Sequence, residues 1–182
     1  MPLHAPQARD EVHLRAIDVR GFKRHDGLFD IEGQLTDRKT MPFAAVCGRA
    51  RAPLEPIHDI RVRLTVDLQM RVVAAEASSD ATPYSVCTEA ESSLQRLVGV
   101  DMRSGWTRAV RELAGGNRGC THMQEILRTL SGAAFQMLVP YWRDLPGDAT
   151  AALLDTCVAF ASDSPIVAMR WPERSRSQKE TG

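Results

Sequence analysis

The segment Ile57-His58-Asp59-Ile60-Arg61-Val62-Arg63-Leu64-Thr65-Val66-Asp67 constrains the fold more than any other part of the chain. Ile60, Val62, Leu64 and Val66 alternate with Arg61, Arg63 and Thr65, the period of a β-strand with one buried face. Asp67-Leu68-Gln69 can turn the chain, so that residues 70–77 return as the partner strand of an antiparallel hairpin. The same period runs through residues 28–36. Phe29, Ile31, Gly33 and Leu35 share one face there, and Asp30, Glu32 and Gln34 share the other. Residues 12–19 read as a first strand, with Val12, Leu14 and Ala16 alternating against His13 and Arg15. The apolar run 43–47, which holds Cys47, reads as a strand edge or a packed loop. Pro53 and Pro56 set up an extended approach to the hairpin.

Beyond the hairpin the period changes. Residues 85–98 form an expected helix with Val86, Ala90, Leu94, Leu97 and Val98 on one side, and Gly99 can cap it. A second helix is expected over 101–114, with Trp106, Ala109, Val110 and Leu113 as its buried stripe and Gly115-Gly116 at its end. A third carries Met123, Ile126, Leu127, Leu130, Ala134 and Leu138 at helical spacing and stops before Pro140. Asp148 can cap a last helix through residue 161, with Leu153, Leu154, Cys157, Val158 and Phe160 inside. Strands followed by helices read as an α+β fold, an antiparallel sheet from the N-terminal half packed against C-terminal helices. Residues 1–11 are expected to be loosely ordered, 12–162 to form a single domain, and 163–182 to be a polar flexible tail whose start Trp171 could pin.

The chain of 182 residues carries 23 Lys+Arg and 23 Asp+Glu, a formal net charge of zero. That balance gives no electrostatic footprint for nucleic acid. No apolar run is long enough to span a membrane, and residues 1–10 lack the apolar core of a signal peptide. A cytoplasmic location is expected. The four cysteines are then free or metal-bound rather than disulfide-bonded.

The chemistry concentrates at Gly115-Gly116-Asn117-Arg118-Gly119-Cys120-Thr121-His122-Met123-Gln124-Glu125, a glycine-rich loop running into a helix. Thr121 and Gln124 fit a capping box. Cys120 and His122 then sit at the first turn, where unpaired N–H groups and the helix dipole favour a thiolate. A deprotonated cysteine and a neutral histidine suit zinc or iron. The bland alternative is a buried cysteine and a capping-region histidine. His58-Asp59 reads either as a turn with a solvated histidine or as a metal-binding or proton-transfer pair. Cys87, in the first turn of its helix, is either a small buried hydrophobe or a second thiolate. Asp30 and Glu32 form a solvated face, or candidate acid–base groups where that face is covered. Cys157 is most simply core.

Taken together, Asp26-Gly27-Leu28-Phe29-Asp30-Ile31-Glu32-Gly33, His58-Asp59, Pro83-Tyr84-x-x-Cys87, Leu97-Val98-Gly99, Gly105-Trp106 and Gly119-Cys120-Thr121-His122 resemble a bacterial family labelled only as a domain of unknown function, number 2889. The motifs extend from about residue 14 to 140, with Phe29 where the family favours Trp. The family label implies no activity. Residues 57–138 also resemble, more distantly, the iron–sulfur cluster assembly scaffold family, which has an antiparallel sheet followed by helices. That resemblance matches Asp59 to the family's Asp, Cys87 to its helix-start Cys, and Cys120 with His122 to its last Cys–His pair. His58 stands roughly where a Cys is expected, and Thr121 separates two residues that are adjacent in the family.

The combination implies a mixed ligand set of Cys87, Cys120, His122 and either Asp59 or His58, suited to zinc with iron second. On this reading the protein is a metal-dependent enzyme, a lyase or hydrolase, acting on a small molecule by Lewis-acid or proton-transfer chemistry. Glu125, Asp59 or Glu32 would act as acid or base, and Tyr84 and Arg118 would hold an anionic or carbonyl group. The alternative is a non-catalytic carrier or scaffold for metal or an iron–sulfur cluster. A structural zinc with no chemistry is a third reading. The expected partners are a small-molecule substrate and neither nucleic acid nor membrane, with a homo-oligomer left open.

Overall fold

The computed structural model describes residues 3–44, 49–142 and 149–176. Cys47, the helix cap expected at Asp148 and the end of the tail lie outside them. The chain divides into two compact units, Met1–Leu138 and Val139–Gly182.

The first unit has an α+β architecture. Strands β1 (His13–Lys23), β2 (Phe29–Lys39), β5 (His58–Val66) and β6 (Val72–Ala81) form one antiparallel sheet in the order β1-β2-β5-β6. Between β2 and β5, the short strands β3 (Phe43–Ala44) and β4 (Ala50–Arg51) pair with each other. The expected alternation is realised along β2, where Phe29, Ile31 and Leu35 are buried. In β5, Ile60, Val62, Leu64 and Val66 are buried, while Arg61 and Arg63 between them are exposed.

Helices α1 (Trp106–Leu113) and α2 (Thr121–Leu138) follow the sheet. The apolar stripe of α2, namely Met123, Ile126, Leu127, Leu130, Ala134 and Leu138, is fully buried. Gly33 lets this helix approach closely, because a Cβ there would fall against the side chains of Ile126 and Leu130. Trp106 of α1 donates its indole N–H to the Leu127 carbonyl at 2.7 Å, which satisfies its one polar atom inside the core. Residues Ser85–Leu97 coil as a 3₁₀ helix rather than the expected α-helix. Thr88 and Ser92 donate to carbonyls three residues back, at Ser85 and Glu89, and so compete with regular α-helical bonding. Only Ser93, Leu94 and Leu97 of this segment are buried, so little packing opposes the tighter coil.

In the second unit the single helix expected over 148–161 is replaced by 3₁₀ turns at Ala149–Leu153 and Val158–Phe160. Asp155 adopts a left-handed φ of 59° and its carboxylate accepts from the Ser162 N–H at 2.8 Å, which breaks the helix. Cys157 is therefore exposed, not core. Helix α3 (Pro165–Arg170) is capped by Ser164, whose hydroxyl accepts from the Val167 N–H, and Val167 and Trp171 are buried. No helix among the described residues is long and apolar enough to cross a membrane.

Candidate metal centre

The site grows out of strand register. Arg15 of β1 lies opposite Asp37 of β2, and Asp37 lies opposite His58 of β5, so the three form a row across adjacent strands. Asp37 continues the face of Phe29, Ile31, Gly33 and Leu35, and His58 continues that of Ile60 and Val62. The apolar faces of two strands thus end in a carboxylate and an imidazole, side by side. Helix α2 crosses this end of the sheet with its first turn and supplies His122 and Glu125.

Asp37 is 2% exposed and is the most heavily engaged group of the cluster. Arg15 donates to it through Nε and Nη2, both at 2.7 Å, a two-pronged clamp. His13 Nε2 lies 2.9 Å from Oδ1 and His58 Nδ1 lies 3.0 Å from Oδ2. His122 Nε2 is 3.7 Å from Oδ2. Burial pushes the Asp37 carboxyl up, but the Arg15 and His13 bonds and the nearby positive charges outweigh it and hold the group well below the usual carboxylate range. Arg15 spans to helix α2 as well, donating through Nη1 to Glu125 at 2.6 Å.

The imidazoles of His58 and His122 pack together, with ring centroids 3.8 Å apart and planes inclined at 33°. Burial, and then the neighbouring His122, push the His58 pKa below its ordinary value, against the opposing pull of Asp37. His58 is held neutral, the form that binds metals. His122 Nδ1 lies 3.7 Å from Cys120 Sγ, which leaves Nε2 toward Asp37. Helix α2 begins at Thr121, so Cys120 takes the capping position expected of Thr121. Burial would raise the Cys120 thiol, yet the His122 contact and the N–H groups of Met123 and His122 bring it below its usual value.

Asp37, His58 and His122 each offer one ligand atom, and the three atoms lie within 4.8 Å of one another. The ligand atoms of a four-coordinate zinc stand about 3.3 Å apart. The 3.0 and 3.7 Å separations within the cluster lie on either side of that value. Two imidazole nitrogens and a carboxylate oxygen form a donor set that zinc and iron share. The cluster could hold a metal ion, and its donors suit one. His58, Cys120 and His122 also line an open cleft of about 640 Å³, together with Tyr84, Cys87 and Arg118.

A family model described as "Protein of unknown function (DUF2889)" matches residues 13–136, from the first residue of β1 almost to the end of α2. The chain belongs to this family. Asp37, His58 and His122 of this DUF2889 member all fall inside the matched region. No curated protein and no solved structure matches the chain.

The structure gathers some of the residues singled out from sequence and separates others. His58 and His122 meet in the cluster, with Cys120 against His122. Cys87 lines the same cleft but is not one of the three clustered ligand residues. Glu125 joins the site's outer layer through Arg15. Asp59, one residue from His58 on a period-two strand, turns to the other face of the sheet and accepts from Gln34 Nε2 at 2.6 Å. Asp30 and Glu32 lie on that opposite face too, where Asp30 accepts from Thr65 Oγ1 at 2.7 Å and Glu32 from Arg63 Nε at 2.7 Å. Sequence reasoning missed Asp37, Arg15 and His13. The signal was the alternation of β2, which extends three residues past the expected end at Thr36 and so places an acid on the apolar face.

Proposed function

We propose that this protein is a mononuclear metalloenzyme that acts on a small anionic molecule in the cleft beside Asp37, His58 and His122. One observation carries the reading: a buried carboxylate beside two histidines that line an open cleft. Zinc or ferrous iron fits the donors, and such an ion supplies Lewis acidity at a substrate oxygen. Arg15 and His13 hold the Asp37 carboxylate in place beside the two histidines. With its Nδ1 against Cys120 Sγ, His122 turns Nε2 toward Asp37 as the ligand atom. Tyr84 and Arg118 offer a phenol and a guanidinium to a carbonyl or carboxylate; Arg118 has no ion-pair partner among the described residues. Glu125 is the acid–base candidate on this face, while Glu32 and Asp30 on the far face take no part. A carrier of metal or cluster would instead rely on Cys87 and Cys120.

The deciding experiment is elemental analysis of protein purified anaerobically without an affinity tag. Near-stoichiometric zinc or iron is expected in the wild type and in Cys157→Ser, with loss in Asp37→Asn and His122→Ala. Metal retained in Asp37→Asn but lost in Cys87→Ser would replace this reading with the carrier. No metal in any sample, even after incubation with zinc or ferrous salt, overturns both.

A further inference from the structure

Strand β1 is an edge strand of eleven residues, paired with β2 along its whole length in continuous register. Among the described residues no strand pairs with its other edge. Proteins blunt such edges with proline, a bulge, a very short strand or charged side chains. β1 has no proline or bulge and runs for eleven residues, and the charges on its outward face, Asp18 and Arg20, are of opposite sign. Its outward face presents Leu14, Ala16, Asp18, Arg20 and Phe22, since His13 and Arg15 point to the Asp37 side. Phe22 is 45% exposed, and among the described residues Asp18 and Arg20 pair only with each other, at 2.9 Å.

This face is self-complementary under a two-fold rotation. With a second β1 laid antiparallel so that Val19 meets Val19, Asp18 of each copy faces Arg20 of the other, and Ala16 faces Phe22. A slip of two residues sets Asp18 against Asp18 or Arg20 against Arg20, and like charges directly opposite are unfavourable. A slip of one residue reverses the faces. Toward the ends Arg15 meets Lys23 on the helix side, where Arg15 is neutralised by Asp37 and Glu125.

We propose that two copies of this chain associate through β1 about a two-fold axis, joining two four-stranded sheets into one of eight. The opposed Asp18–Arg20 pairs set the register, and the backbone edge supplies the hydrogen bonds. The inference is independent of the metal centre, which lies on the other face of the sheet.

Sedimentation equilibrium on the full chain tests it. The wild type is expected at twice the 20.1 kDa chain mass in the micromolar range. Arg20→Asp sets four carboxylates at the centre of the interface and is expected to weaken the dimer about tenfold or more. The double variant Asp18→Arg/Arg20→Asp keeps the pairs complementary with their signs exchanged, and is expected to restore the wild-type dimer. A mass of 20.1 kDa at all concentrations up to about 100 μM overturns the proposal. So does a dimer that Arg20→Asp leaves intact, which would place the interface elsewhere. Circular dichroism separates dissociation from unfolding, and a Phe22→Lys variant, changed at an exposed side chain, repeats the test should Arg20→Asp fail to fold.

Discussion

Asp37 is the residue on which the site turns. It is a charge in the core wall, tolerated because a guanidinium and three imidazoles surround it. Asp37→Asn keeps the shape but leaves Arg15 facing a neutral amide. Arg15 is 36% exposed at its side chain, so water offsets part of the loss. We expect a destabilisation on the order of 2–3 kcal/mol in urea unfolding, with no metal bound; a variant as stable as wild type would show that the clamp is incidental. His58 gives a prediction of its own. Its folded pKa lies below the ordinary value near 6.5, so on acidification the unfolded chain takes up the proton first. Stability contributed by neutral His58 is complete above about pH 6.5 and declines as pH falls from there toward the folded pKa. The metal-free protein should lose stability over that range with a slope of at most about 1.4 kcal/mol per pH unit for this one proton. The slope should flatten in His58→Gln; an unchanged slope would assign the sensitivity to another group. Asp37, with its depressed pKa, contributes nothing to this window, because its stabilisation is lost only at far lower pH. His58 and His122 were legible as site residues because histidine beside a strand end or a helix start is conspicuous. Asp37 was not, since an aspartate after a run of alternating residues resembles a turn until the register shows that the strand continues.

At the scale of elements, the site depends on how closely α2 lies against β2. Gly33 sets that spacing. Gly33→Ala would press a methyl group against Ile126 and Leu130, both fully buried, and neither can move without disturbing the core. A cost of about 1–3 kcal/mol is expected, together with weaker metal binding, because His122 rides on the same helix. Gly21→Ala offers the control: its methyl would meet only the flexible end of Met137, so a smaller loss is expected with metal binding intact. Equal effects of the two variants would argue against α2 position as the cause. The sheet was readable from the chain because its strands have one buried face each, which forces period two. The hairpin of β5 and β6 was accordingly visible. The 3₁₀ course of Ser85–Leu97 was not, because Val86, Ala90, Leu94 and Leu97 fit α-helical spacing and the competing side-chain bonds of Thr88 and Ser92 lie below that resolution. The same holds for Cys157, which was placed in a helix that Asp155 interrupts.

At the scale of the first unit, the three candidate ligand residues come from β2, β5 and the start of α2, segments far apart in sequence. A metal held by all three would tie the sheet to the helix and be bound by the folded chain alone. The unfolded chain holds Asp37, His58 and His122 at random separations and binds weakly in comparison. Mass action then requires the metal to stabilise the fold, by about 2.7 kcal/mol at a free concentration a hundredfold above Kd. For a chain of this size that corresponds to roughly 5–10 °C in Tm. Thermal unfolding followed with added zinc, and again after a chelator, should show this rise and its reversal in the wild type. Asp37→Asn and His122→Ala should show neither. Cys120→Ser keeps all three ligand residues and loses only the thiol beside His122, so the rise should persist but need about ten times more zinc, the usual cost of removing a partner that orients a metal-bound histidine. If Cys120→Ser abolished the rise outright, the thiol would itself be a ligand, and the donor set would become two nitrogens, one oxygen and one sulfur, a closed tetrahedron without a position for substrate.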